Sequence, residues 1–440
     1  MCTIIGYKSL KISENTIHKA LENTYSRGPD DERIQQVGCG YLGFQRLSIM
    51  GLSPEGMQPF VRNNNLVVCN GEIYGFRKLK EELEKLDVKN LYINEFGTVV
   101  GYVPGTKEGP TIALIAHIDT SNSASGKDVK ARVLKYEGGD IELSTGIKLS
   151  PNEFSTLKGK EGHELVVTDG TTLLGGDDKA GIAIIVNVIE KLKENNVEHL
   201  PVQVIFSTDE EIGVGADHIK DEDINADFGY TVDGGCLKYI SVENFNAGSL
   251  KVVINGRSIH PGDSKDKMIN ALNVGIDFHN ALPRYERPEH TACREGFYHL
   301  LHLEGTEEHA ELTYIIRDHD LEKLLHRFEI AELTAERINK EIGSNVITLQ
   351  CEKDSYRNMK PELDKHPEVT QRIVEAYKEL GLEYAFEPIR GGTDGAHLTY
   401  RGLPCPNLAT GDYNCHGRFE YVDVDEMKKM IEVVYKIVTK

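Results

Sequence analysis

The first 75 residues alternate short apolar runs with clusters of turn-forming residues. The apolar runs cover residues 3–7, 41–49 and 66–70. Short runs separated in this way are typical of β-strands. The sequence therefore predicts a β-rich segment at the N-terminus.

The hydrophobic period changes at Phe76. Phe76, Leu79, Leu83 and Leu86 are spaced at i, i+3, i+7 and i+10. This spacing places four apolar side chains on one side of a helix. We therefore expect an amphipathic helix to follow the β-rich segment.

Strand and helix patterns then alternate. Continuous apolar runs that end in polar or acidic residues occupy 111–119, 201–211 and 227–235, and residues 179–193 have a long helical pattern. Alternation of this kind predicts an α/β fold with a mostly parallel sheet covered by helices. In such sheets ligands usually bind at the carboxyl ends of the strands.

Residues 246–354 form a separable unit within this pattern. Its elements follow the order βαββαβ, which is typical of a ferredoxin-like module. The predicted elements are strand 249–256, helix 265–282, strand 297–304, strand 310–317, helix 320–342 and strand 345–353. We predict three regions: 1–77, a catalytic domain formed by 78–245 plus 355–440, and the inserted module 246–354.

The charge and cysteine content of the chain argue against some partners and indicate a cellular location. The 440 residues carry 50 Lys and Arg against 70 Asp and Glu, a net charge of −20. Nucleic-acid binding and attraction to an anionic membrane need the opposite sign, so we expect neither partner. The eight cysteines include no CxxC pair, and the N-terminus lacks a long apolar core after a basic start. These features favour a cytoplasmic protein.

Polar residues follow several of the predicted strands. AHIDT contains His117 and Asp119, TVDGG contains Asp233 and YNCHGR contains His416; the acidic pairs are Asp177 with Asp178 and Glu210 with Glu211. Each segment alone has an ordinary explanation, since an acidic pair before a helix is commonly an N-cap. Their recurrence at strand ends of one α/β domain predicts a divalent metal site instead, and zinc suits this mixture of donors.

These motifs, in this order, resemble the aminoacylase-like family of zinc exopeptidases and, within it, the tripeptide aminopeptidases. ENFNAGS, SIHPG, EGFYHL, YIIRD, PIRGGTDGAHL and GLPCPN extend the likeness over roughly residues 78–440. The resemblance implies hydrolysis of short peptides with a free N-terminus, a lid formed by the inserted module and two zinc ions per subunit. It leaves a homodimer open.

The resemblance also implies residue roles. His117, Asp177 and Asp233 would hold one zinc, and Asp177, Glu211 and His416 the other. Asp119 would orient His117, Glu210 would be the general base and His260 would stabilise the oxyanion. Arg317 and Arg390 are the candidates to bind the peptide carboxylate, although either residue could instead form a structural ion pair.

The N-terminal segment has a separate signature. Cys2 follows the initiator methionine, and RGPDD, GFQRLSI, MQPF and CNGEIYG come after it. These residues resemble the first part of the class II glutamine amidotransferase domain of asparagine synthetases, over roughly residues 1–84. The resemblance implies that Cys2 is the nucleophile, Arg46 binds the glutamine carboxylate, Asn70 with Gly71 forms an oxyanion hole and Glu72 contacts the substrate amine.

The remaining strands of an amidotransferase domain and its later acidic glutamine contact do not appear in the sequence. We therefore expect a truncated, inactive amidotransferase segment joined to a zinc aminopeptidase, with the seam at 79–85. Two alternatives stay open, a glutamine amidotransferase that uses Cys2 and a non-catalytic fusion product.

Overall fold

The computed structural model describes residues 3–7, 13–23, 31–37, 40–46, 60–62, 65–67, 76–195 and 197–440. The described chain divides into two compact units. The first unit comprises residues 1–75, 120–175 and 414–421, and the second comprises 76–119, 176–413 and 422–440. The predicted domain boundaries follow sequence patterns rather than this division and stay predictions.

The N-terminal segment is rich in β-structure, as predicted. The elements are β1 (Thr3–Tyr7), α1 (Glu14–Glu22), β2 (Asp31–Val37), β3 (Gly40–Arg46), β4 (Phe60–Arg62) and β5 (Asn65–Val67). Strand β1 matches the predicted run 3–7, and β3 and β5 overlap the runs 41–49 and 66–70, whose last residues lie outside the described residues. The order β1-β3-β2 gives an antiparallel sheet, and α1, which the sequence analysis missed, buries Ile17 and Leu21.

Residues 76–240 form a series of strands with two helices. The elements are α2 (Phe76–Lys85), β6 (Lys89–Ile93), β7 (Val99–Val103), β8 (Ile112–His117), β9 (Arg132–Lys135), β10 (Ile141–Ser144), β11 (Ile147–Leu149), β12 (Glu164–Val167), α3 (Gly176–Asn195), β13 (Val202–Ser207), β14 (Phe228–Gly234) and β15 (Tyr239–Ile240). In the first unit, β9 pairs with β12 and β10 with β11, both antiparallel.

The inserted module has the predicted βαββαβ order. Its elements are β16 (Asn246–Asn255), α4 (Ala271–Ala281), β17 (Phe297–Gly305), β18 (His309–Asp318), α5 (Leu321–Ile342) and β19 (Ile347–Tyr356). The sheet order β17-β18-β16-β19 is that of a ferredoxin-like fold. Helix α4 begins six residues later than predicted, because the Asn270 side chain accepts a hydrogen bond from the Asn273 N–H and caps the helix there.

The last part of the chain, after the inserted module, contains four helices and four short strands. Its elements are α6 (Lys360–Leu363), α7 (Pro367–Glu379), β20 (Ala385–Phe386), α8 (Asp394–Tyr400), β21 (Asn407–Ala409), β22 (Asp412–Tyr413), β23 (Tyr421–Asp423) and α9 (Val424–Thr439). None of the helices in the described residues is long and apolar enough to cross a membrane.

The large sheet of the second unit has the order β21-β14-β8-β13-β7-β6. The first four strands are parallel, and β7 and β6 are antiparallel additions at one side. Every residue of β8 and of β13 is buried, as expected for central strands covered on both faces. The mostly parallel α/β sheet that the sequence predicts is confirmed.

The chain crosses between the large sheet and the inserted module twice, at 243–246 and at 356–358. Buried polar side chains fill this place; we call them the crossing network: Glu243, Asn244, Asn246, His319 and Asn358. The Asn244 amide donates to the carbonyl oxygen of Arg357 (3.0 Å), and the Asn358 amide donates to that of His319 (2.9 Å). These bonds tie the outgoing segment of the chain to the returning one.

Candidate metal centre

The carboxyl ends of three neighbouring parallel strands bring most of the predicted metal ligands together. β8 lies between β13 and β14. His117 is the last residue of β8, Glu210 and Glu211 lie just beyond the end of β13, and Asp233 is close to the end of β14. Asp177 lies before the first regular turn of α3, since its φ and ψ are not helical.

We call the resulting group the acidic cluster: His117, Asp119, Asp177, Asp178, Glu210, Glu211 and Asp233. Nε2 of His117 lies 2.8 Å from a carboxylate oxygen of Asp177 and 3.6 Å from one of Asp233. Two groups of three residues have potential ligand atoms that all lie within 4.8 Å of one another. One group is His117, Asp177 and Glu211, and the other is His117, Asp178 and Asp233.

The buried Asp119 fixes the orientation of the His117 ring. Nδ1 of His117 lies 3.3 Å from the Asp119 carboxylate and donates to the Asp119 carbonyl oxygen at 3.1 Å. The carboxylate also accepts the backbone N–H groups of Glu210 (3.2 Å) and Glu211 (3.1 Å). Because Nδ1 is the donor, Nε2 is the nitrogen that faces the other carboxylates and suits a cation.

The adjacent Asp177 and Asp178 have different surroundings. The Asp178 carboxylate is buried and accepts the backbone N–H groups of His117 (3.1 Å) and Gly181 (3.0 Å). Gly181 is required here, since a Cβ would lie 1.8 Å from the Val232 carbonyl oxygen. Asp178 thus supports the backbone in the way an N-cap does, whereas Asp177 faces the imidazole.

Negative charge is crowded in this cluster. Burial, with the nearby charges of Asp233 and Asp394, raises the pKa of Glu210 well above its usual value. Burial also raises the pKa of Asp233 to about 7. Burial lowers the pKa of His117, but hydrogen bonds to three surrounding carboxylates outweigh it and raise that pKa well above its usual range. Buried carboxylates that repel one another fit a divalent cation.

Two further predicted residues belong to other segments of the chain. His260 is exposed in the inserted module, where its Nδ1 accepts the Gly262 N–H at the start of a 3-10 turn. His416 belongs to residues 414–421 of the first unit and has a positive φ of 63°. Their roles at the metal centre remain predictions.

The two candidate arginines differ in their contacts. Arg317 lies over the Tyr356 ring, 4.5 Å from its centre, and burial lowers its pKa to about 10. Nη1 of Arg317 and the Tyr356 hydroxyl are buried without a hydrogen-bond partner among the described residues. Tyr356 also contacts the position of Gly392, where a Cβ would come within 3.0 Å of the ring. Sequence reasoning did not single out Tyr356, because this pairing arises only when β18 and β19 flank β16, where Arg317 and Tyr356 both pair with Ala247.

Arg390 uses its guanidinium differently. It donates to the carbonyl oxygens of Cys293 (2.8 Å) and Glu295 (2.9 Å) and to the Thr291 hydroxyl (3.0 Å). It also lies over the ring of Phe245 at 5.1 Å. These contacts favour the structural alternative for Arg390 over the binding of a peptide carboxylate.

The amidotransferase-like residues lie mostly beyond the described structure. Cys2, Asn70, Gly71 and Glu72 are outside the described residues. Arg46 is the last residue of β3, where its backbone pairs with Asp31 of β2.

Comparisons with known proteins match the peptidase-like part and the amidotransferase-like part of the sequence to two different families. A sequence model described as "Peptidase family M20/M25/M40" matches residues 161–440, and one described as "Glutamine amidotransferase domain" matches residues 1–91. Curated relatives named Peptidase T include one from Caldanaerobacter subterraneus, 44% identical over 86% of this chain and 93% of its own. Another, from Shouchella clausii, is 43% identical over 85% of this chain and 92% of its own.

Solved structures share the fold. The aminopeptidase PepT from Bacillus cereus aligns with a TM-score of 0.68 at 24% identity, over 82% of this chain and 91% of that one. A tripeptidase from Staphylococcus aureus aligns with a TM-score of 0.67 at 22% identity, over the same shares. At these identities the likeness shows the fold.

Proposed function

The chain belongs to peptidase family M20/M25/M40, and we propose that it is a metal-dependent aminopeptidase that removes the N-terminal residue from short peptides, tripeptides in particular. Relatives named Peptidase T at 43–44% identity support this substrate class. The crowding of buried carboxylates around His117 is the observation that carries the proposal. Such a group is stabilised by divalent cations, and two cations are what hydrolysis of a peptide bond can use.

We assign the two ions to zinc. His117, Asp177 and Asp233 would hold one, and Asp177, Glu211 and His416 would hold the other, with Asp177 shared between the two. Imidazole and carboxylate are ordinary zinc ligands. The distances from Nε2 of His117 to Asp177 (2.8 Å) and Asp233 (3.6 Å) support the first ion, and the closeness of Asp177 to Glu211 supports the second. When bound, the ions would supply a water of lowered pKa and positive charge at the scissile carbonyl.

The protein's own side chains then move protons and hold the substrate. Glu210 accepts a proton from the attacking water and delivers it to the leaving amine. Burial and the charges of nearby carboxylates raise the pKa of Glu210, which makes it a stronger base. Asp119 keeps Nε2 of His117 directed at its ion. His260 donates to the developing oxyanion. Arg317 binds the peptide carboxylate, and its buried, unpartnered Nη1 supports that role.

The test is a tripeptide hydrolysis assay before and after treatment with a chelator. We expect activity to disappear with the metal and to return with added zinc. The N-acetylated form of the same tripeptide is the control and should not be cleaved. Undiminished release of the N-terminal residue from metal-free protein would contradict the proposal.

The match of residues 1–91 to a glutamine amidotransferase domain supports a second candidate. In that case Cys2 would release ammonia from glutamine. We propose instead that the segment is inactive, since the sequence lacks the later acidic contact to glutamine. Cys2→Ser should leave tripeptide turnover unchanged, and the parent protein should release no ammonia from glutamine. Ammonia release that depends on Cys2 would establish the second activity.

A further inference from the structure

A cavity of about 590 Å³ lies in the second unit next to the crossing network. Its volume falls in the range of small-molecule sites, ~300–1,000 Å³. Helices α6 and α7 and the segment after β20 form its walls, and Arg294 from the inserted module closes one side. The apolar wall consists of Val242, Leu363, Val374 and Phe386.

Most charges around the cavity are already paired. Arg294 binds Glu243 at 2.5 Å, and Lys360 binds Asp364 at 2.7 Å. Glu387 has no ion pair or side-chain hydrogen bond with any residue that the structure describes, and burial alone raises its pKa. Glu387 is exposed, and among the charged residues that line the cavity it is the one without an ion pair to a described residue.

The residue before Glu387 adds a second feature. Phe386 also lines the cavity, and 49% of its surface remains exposed. Backbone pairing holds this segment in place, since Phe386 pairs with Ile240 of β15 and the Glu387 N–H donates to the Ile240 carbonyl oxygen at 3.1 Å. An aromatic face beside a carboxylate favours a cation, because both attract positive charge.

We infer that this cavity binds a small molecule with a primary ammonium group on an apolar body. The ammonium pairs with Glu387, and the apolar body lies against Leu363, Val374 and Phe386. Free amino acids and short peptides carry an ammonium group, as do simple aralkyl amines. The inference concerns a place apart from the metal centre and stands without the proposed peptidase activity.

Phenethylamine is the probe, and titration calorimetry with the full-length, zinc-loaded protein is the measurement. We expect saturable binding of phenethylamine and at least about tenfold weaker binding of 2-phenylethanol, which lacks the charge. Glu387→Gln should weaken phenethylamine binding by a similar factor. Glu383→Gln is the matched control, because Glu383 is an exposed acid on the same segment and does not line the cavity.

Hydrogen exchange locates the site independently of the variants. Saturating phenethylamine should slow exchange in peptides that cover 360–374 and 385–388. Leucine, a zwitterion, tests whether an added carboxylate is tolerated between Arg294 and Lys360; its binding would extend the ligand class to amino acids, and its failure would restrict the class to amines. Equal affinity of phenethylamine for parent and Glu387→Gln, or protection confined to the strand ends around His117, would overturn the inference.

Discussion

The acidic cluster and the crossing network both consist of buried or half-buried polar side chains in the second unit, yet they differ in how these groups are paired. The asparagine amides of the crossing network pair with backbone groups, although Nε2 of His319 is buried without a partner among the described residues. In the network, Asn246 donates to the His319 carbonyl oxygen (2.9 Å) and accepts the Asn358 N–H (2.9 Å). Asn244 in turn accepts the Met359 N–H (2.7 Å). In these bonds each neutral amide donor faces an acceptor and each acceptor faces a donor, as buried polar groups in stable proteins do.

The acidic cluster combines one imidazole with several carboxylates. Its carboxylates raise one another's pKa instead of satisfying one another, as the charges of Asp177 and Asp233 on Glu210 show. Such an arrangement costs folding free energy unless a cation is bound. The difference teaches that buried amides with paired donors and acceptors indicate a structural role, whereas buried carboxylates that repel one another at strand ends indicate a binding site.

The largest effect should come from Asp177, the carboxylate that we propose is shared by both metals. We expect Asp177→Asn to lose both metals and to lower kcat/KM by at least ~10³-fold, which corresponds to several kcal/mol of transition-state stabilisation. The metal-free variant should melt no lower than the metal-free parent, because the change removes one repelling charge. Elemental analysis, peptide assays and thermal melts test this.

Asp217→Asn serves as the control for that experiment, since Asp217 is exposed on a nearby 3-10 turn. It should keep metal content and activity. An Asp177→Asn protein that still holds two metals would remove the contrast between the two buried clusters.

A smaller effect is expected at Glu210. Glu210→Gln keeps the shape of the side chain but cannot accept the proton, so kcat should fall by at least ~10²-fold with metal content unchanged. Glu222→Gln, on an exposed 3-10 turn, is the control. Full activity of Glu210→Gln would show that another group is the base.

Much of this arrangement was predictable from sequence, for a physical reason. Apolar runs that end in acidic residues indicate parallel strands, and parallel strands bring their ends to one edge, so His117 and Asp233 were expected to lie together. The different surroundings of Asp177 and Asp178 were not predictable, because they depend on the backbone at the start of α3. The pairing of Arg317 with Tyr356 likewise depends on tertiary packing.

The crossing network should respond in the opposite way to the acidic cluster. Asn358→Ala removes the acceptor for the Lys360 N–H (3.0 Å) and the donor to the His319 carbonyl (2.9 Å). Leaving buried groups unsatisfied should lower the free energy of unfolding by about 2–3 kcal/mol. Denaturant unfolding measures this loss, and metal content should not change.

Asn345→Ala is the control for the network, because Asn345 is exposed after α5. It should change stability by no more than ~0.5 kcal/mol. A metal loss in Asn358→Ala as large as that of Asp177→Asn would show that the two clusters are not separate in function.

The smallest effect is expected at Arg390, whose contacts place it with the crossing network. Its guanidinium bonds two carbonyl oxygens of the loop 291–295 and lies over Phe245, which in turn stacks on His319 at 4.2 Å. Arg390→Lys keeps the charge but loses the planar fork. Because the loop is partly exposed and water can replace these bonds, stability should fall by only about 1 kcal/mol.

The same variant separates the two roles that the sequence left open for Arg390. If it anchors the loop, Arg390→Lys should speed hydrogen exchange of 291–295 and leave KM within about twofold of the parent. Arg317→Lys should behave differently, raising KM by roughly tenfold or more without faster exchange, because it would lose the bidentate bond to the peptide carboxylate that we propose for Arg317. A tenfold rise in KM for Arg390→Lys with unchanged exchange would instead place Arg390 at the substrate. Arg390 would then belong to the charged binding site and not to the structural network.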